Sequence, residues 1–104
     1  MSALEAARVP TVNGARYLEQ LCKHWGHRLA IVRDGGEARV TLLNDAVVTL
    51  AATPEALDVA IRAATPGAMG EAKDTVVRHL DRFAFREAPL LFEWRDHGAE
   101  ARSI

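Results

Sequence analysis

The chain has 104 residues, 49% hydrophobic and 26% charged, with a formal net charge of -1. That is one domain's worth of polypeptide, long enough for a single core and too apolar to be disordered. The near-zero charge argues against nucleic acid, because phosphate binding needs a basic excess or a basic face.

One cysteine cannot form an internal disulfide, which fits a reducing compartment. Met1-Ser2-Ala3-Leu4-Glu5-Ala6 has an early acid and no apolar run, so it does not read as a secretory signal. No apolar stretch approaches the roughly 20 residues that span a bilayer. The expectation is a cytoplasmic single domain over residues 1–104 with no membrane partner.

The first element is a short strand near Leu4–Val9, with Glu5, Arg8 and Pro10 suggesting a sheet edge. Asn13 is placed to cap a helix whose Ala15, Leu18, Leu21, Cys22 and Trp25 recur on one face. Gly26 reads as its left-handed stop, with Lys23 and His24 in the last turn, where the helix dipole favours cations. Leu29–Arg33, Ala38–Leu43 and Ala46–Ala51 follow as strands, separated by the turn signals Asp34-Gly35-Gly36 and Asn44-Asp45.

Residues 54–64 are ambiguous by periodicity. Leu57, Ala60, Ile61 and Ala64 fit a helix, whereas Leu57, Val59, Ile61 and Ala63 fit a strand. The strand is preferred, because it extends the meander and Thr65-Pro66 opens a helix directly afterwards. That helix runs to about Phe85 with Val76, Leu80, Phe83 and Ala84 as its core stripe. After Pro89, Leu90, Phe92 and Trp94 alternate with Leu91, Glu93 and Arg95 in a last strand, and residues 96–104 read as a frayed tail. The predicted order is β-α-β-β-β-β-α-β, an α+β layer with two helices on one face of a mainly antiparallel sheet.

Two segments stand out: Arg16-Tyr17-Leu18-x-Gln20-Leu21-Cys22-Lys23-His24-Trp25-x-His27 and His79-Leu80-x-Arg82-Phe83-Ala84-Phe85-Arg86-Glu87. Their pairing resembles a bacterial family catalogued as domain of unknown function 2218. The resemblance runs from the first strand to Phe92-Glu93-Trp94. It implies no established activity, but it implies a setting: such domains occur alone or joined to siderophore-interacting flavoproteins that reduce ferric siderophores. This chain has no flavin- or nicotinamide-binding region, so a reductase would be a separate partner. At Pro54-Glu55-Ala56 it departs from the glycine-bearing turn of relatives, which leaves the start of that strand open.

Cys22-x-His24-x-x-His27 invites a metal reading, since thiolate and imidazole ligate zinc and iron well. Helical residues are about 100° apart, so Cys22 and His24 point roughly 160° apart and cannot share one ion. Cys22 is expected to be a buried small hydrophobe, and no metal is assigned. Arg78, Arg82 and Arg86 recur every fourth residue beside His79. Such a stripe either holds an anionic small molecule such as a catecholate, carboxylate or phosphate, or is a solvated face neutralised by Asp74, Asp81 and Glu87.

Other chemistries have less support. Ser2 and Ser103 are the only serines, both terminal, and there is no glycine-rich phosphate loop, so no cofactor is implied. Two readings remain. One is a non-enzymatic binding or accessory module in iron and siderophore handling, with His24, His27, His79, Arg82 and Arg86 as ligand-binding candidates. The other is an assembly domain that pairs through its sheet, giving a homodimer with no small-molecule ligand.

Overall fold

In the computed structural model, which describes residues 3–96, eight elements follow in the predicted order. They are β1 (Ala3–Pro10), α1 (Gly14–Trp25), β2 (Ala30–Asp34), β3 (Glu37–Thr41), β4 (Val47–Ala52), β5 (Ala56–Ala63), α2 (Pro66–Phe83) and β6 (Arg95–Asp96). The strands form one antiparallel sheet in the order β2-β3-β4-β5-β1-β6. The molecule is therefore α+β, with two helices on one face of the sheet.

The alternation in β5 explains why strand wins over helix there. Leu57, Val59, Ile61 and Ala63 are buried, whereas Asp58, Ala60 and Arg62 face the other way. The turn before it is built by Thr53, whose amide donates to Ala56 O at 2.8 Å and whose hydroxyl accepts from the Ala56 amide at 3.0 Å. Threonine thus closes this turn without glycine. Between β2 and β3 the two-residue Gly35-Gly36 loop does need glycine, because Gly35 has φ 59.

β1 is paired along its length with β5, and on its other side, among the described residues, Glu5 and Ala6 are covered by β6. The last strand begins later than the sequence suggests. Leu90 to Trp94 lie outside regular structure, although the alternation survives: Leu90 is buried, Phe92 and Trp94 are half-buried, and Leu91 and Glu93 are exposed. Asp96 is part of β6, and the rest of the expected frayed tail, with His97, lies outside the described residues.

Both helices cover the sheet with one stripe. α1 buries Gly14, Tyr17, Leu18, Leu21, Cys22 and Trp25, and α2 buries Met69, Ala72, Val76 and Leu80. They meet Val9, Val40, Val48, Leu50, Leu57, Val59 and Ile61 in one core. Each fully buried large aliphatic side chain contributes about 1.5–3 kcal/mol by leaving water. Ala15, expected on the core stripe, is exposed; Gly14 and Tyr17 take that position. Here α1 rides close over β5, where a Cβ on Gly14 would lie 3.0 Å from Ala56 O.

Two helix ends also differ from expectation. Asn13 makes no side-chain cap on α1, and Gly26 is right-handed at φ -61, with its amide bonded to Cys22 O at 2.8 Å. Thr65 caps α2 as its sequence suggests, accepting from the Ala68 amide at 3.0 Å.

Candidate functional site

The last turn of α1 and the middle of α2 form one wall of an open cleft of about 880 Å3. His24, Trp25, His27 and Arg28 line it from α1 and the loop beyond; Glu71, Asp74, Thr75, Arg78 and His79 line it from α2. Leu29, Leu42 and Leu43 add an apolar part to the lining beside Asn44, whose Nδ2 donates to Ala68 O at 3.4 Å and to Glu71 Oε1 at 3.3 Å. Leu43, 86% exposed, is the most open of these leucines.

Rings from both helices meet along this wall. The centroids of His24 and His79 are 5.2 Å apart, and Trp25 lies 5.4 Å from His79. Phe83 meets His24 edge-on at 5.8 Å. The half-buried His79 has its Nδ1 2.7 Å from Thr75 O. A carbonyl only accepts, so Nδ1 carries the proton and the neutral ring keeps its lone pair on Nε2. His79 packs its ring against His24 and Trp25 of α1.

Of the five candidate residues, the fold brings His24, His27 and His79 to the cleft and leaves Arg82 and Arg86 outside its lining. The expected arginine stripe does not persist, because α2 ends at Phe83 and Arg86 lies beyond it. The guanidinium of Arg86 instead sits 5.7 Å over the Phe85 ring. Arg78 does reach the cleft and is paired with Asp74 at 3.1 Å. The second cleft arginine is Arg28, which sequence reasoning passed over because it falls outside every periodic segment.

The acids expected to neutralise that stripe are used elsewhere, Asp74 excepted. Asp81 Oδ1 accepts from the Leu90 amide at 2.9 Å. Glu87 accepts from the Thr11 hydroxyl at 2.9 Å, from Asn13 Nδ2 at 3.0 Å and from the Tyr17 hydroxyl. The Tyr17 and Asn13 bonds hold the Glu87 carboxyl below its ordinary range. Burial and the neighbouring carboxylate push the Tyr17 phenol up. This cluster ties the segment after α2 to the start of α1, and the Nδ2 bond to Glu87 turns the Asn13 side chain toward that carboxylate. Both partners fall inside the two sequence motifs, yet 70 residues separate them and no periodicity links them.

Cys22 is buried as expected, with its thiol pushed up chiefly by desolvation. A thiol in that state is a weak nucleophile and a weak ligand. Among the described residues, no three His, Cys, Asp or Glu side chains converge on a point where an ion would sit. No described helix is long and apolar enough to cross a membrane.

Fold and cleft together define a small α+β domain with an open, histidine-lined groove beside its two packed helices. A family model described as "Uncharacterized protein conserved in bacteria (DUF2218)" matches residues 6–95, and the chain belongs to that bacterial family. The chain is also similar to the protein in "NMR structure of PA4090 from Pseudomonas aeruginosa", with 25% identity and a TM-score of 0.75. That match covers 89% of this chain and 95% of the other. No curated protein matches.

Proposed function

We propose that this domain is a non-enzymatic binding module whose histidine-lined cleft takes a small organic oxyanion. The setting we assign is iron and siderophore handling, with a catecholate- or carboxylate-bearing ligand and a separate siderophore-interacting flavoprotein as partner. That setting rests on the family resemblance alone. What supports the ligand class is one observation: Arg28 and Arg78 share an open cleft with three histidines and three leucines. Guanidinium forks match planar oxyanions, and the leucines suit an aromatic body. Glu71 and Asp74 balance the formal charge of Arg28 and Arg78 across the lining, which favours a ligand of low charge over a polyphosphate.

Calorimetric titration of a catecholate, a simple carboxylate and a ferric siderophore into the protein tests this reading. Binding of the catecholate should weaken at least about tenfold in Arg28→Ala and in Arg78→Ala, the loss of one charge-assisted hydrogen bond. Arg82→Ala, outside the cleft, should bind like the parent. No heat with any of the three ligands, or equal binding in all variants, overturns it.

A second reading has its own observation. β2 is an edge strand with Val32 62% exposed, and the uncovered sheet face carries Ala6, Thr49 and Ala60 in one cross-strand row. Such an edge and face suit pairing with a second copy. A concentration-dependent dimer in sedimentation, unaffected by the cleft variants, would support assembly instead.

A further inference from the structure

The geometry points to a second capacity of the same wall: His24 and His79 form a two-imidazole site for a late first-row divalent metal ion, such as nickel, copper or zinc. Two imidazoles on one tetrahedral ion, each at about 2.0–2.1 Å, hold their ring centroids about 5 Å apart. The spacing here is 5.2 Å, and it is set by two different helices, so it does not follow from the repeat of either one.

The second observation is independent of that spacing. The Nδ1 proton of His79 is fixed on Thr75 O at 2.7 Å, leaving Nε2 as the lone-pair nitrogen. A ligating histidine is typically oriented by this kind of outer hydrogen bond, which sets the tautomer and raises the basicity of the free nitrogen. His24 is exposed, so water or an ion can reach its ring, which rests against His79 and Phe83. Imidazole suits zinc, copper and nickel better than calcium or magnesium, which want oxygen. With two protein ligands, the remaining coordination positions belong to water or to an incoming oxygen donor.

This inference stands apart from the oxyanion reading, because bare metal is the probe and Arg28 and Arg78 take no part. The test uses the native indoles. Trp25 lies 5.4 Å from His79, and Trp94 is the other tryptophan, so a Trp94→Phe background leaves Trp25 as the sole indole emitter. Nickel chloride is titrated into untagged protein while Trp25 fluorescence is recorded. The expected result is saturable quenching at one ion per chain, reversed by EDTA and by competing zinc.

His24→Gln and His79→Gln should each weaken the apparent affinity at least about tenfold. Circular dichroism on metal-free protein checks that each variant is folded. His24→Gln is the safer variant because it alters an exposed side chain, and it suffices if His79→Gln unfolds. No saturable quenching in the parent, or the same affinity in His24→Gln, overturns the site. Retained oxyanion binding alongside a failed metal titration would overturn this inference and leave the function proposed above intact.

Discussion

Glu87 holds more side-chain hydrogen bonds than any other residue of the two motifs, and its partners come from the far end of the chain. Tyr17 is the chain's single tyrosine and only 5% exposed, so its ionisation can be followed without interference from another phenol. Burial is the larger cause of its upward shift and the Glu87 carboxylate adds to it. Spectrophotometric titration should therefore show the phenol ionising above its ordinary value of 10.0. In Glu87→Gln the midpoint should move down toward that value, because the negative neighbour is gone while the burial remains. An unchanged midpoint would mean that desolvation alone sets it.

At the level of elements, what matters is how closely α1 approaches β5. A Cβ at residue 14 would meet Ala56 O at 3.0 Å, Ala56 C at 3.3 Å and Leu57 Cβ at 3.3 Å. Two of these atoms are backbone and cannot rotate away. Alanine favours helices over glycine by about 1 kcal/mol, which pulls in the opposite direction. The clash should win: Gly14→Ala is expected to destabilise by about 1–3 kcal/mol, as overpacking does when a backbone must shift. Urea unfolding followed by circular dichroism measures the difference, and a gain in stability would show that α1 can lift off β5 freely. The ends of the helices teach a related lesson. Asn13 and Gly26 have the right side chains for a cap and a left-handed stop, but Asn13 is recruited by Glu87 and Gly26 continues the right-handed path.

For the whole molecule, the Glu87 cluster closes the loop after α2 onto the β1–α1 junction, and Lys73 reaches Glu5 at 2.5 Å to join α2 to β1. The first of these should make stability depend on acid. The folded-state pKa of Glu87 lies below its ordinary value of 4.5, so its contribution is complete above that pH. It is lost as pH falls through the depressed value, because the unfolded chain then binds the proton more readily. Glu19, lowered by its hydrogen bond to Arg33, acts in the same direction, although that pair is exposed and salt screens it. Glu87→Gln should cost about 1–2 kcal/mol at neutral pH, discounted for solvent, and less at an acid pH well below 4.5. Denaturant midpoints at the two pH values decide this; an equal loss at both would assign the effect to packing rather than charge.

The alternation of Leu57, Val59 and Ile61, the Gly35-Gly36 turn, the Thr65-Pro66 start and the apolar stripes of both helices are all legible in the amino-acid sequence. These are local signals, each set by neighbours within a few residues, and they suffice for the element order and the α+β layer. The burial of Cys22 is legible for the same reason. The ends of the last strand and the fate of the arginine stripe are not, because α2 stops at Phe83 and the register of β6 depends on β1. Nor does local pattern say that His24 meets His79, that Arg28 joins Arg78, or that Glu87 reaches Tyr17. Those pairings come from the distance and angle at which two helices settle on one sheet, which depend on every side chain between them.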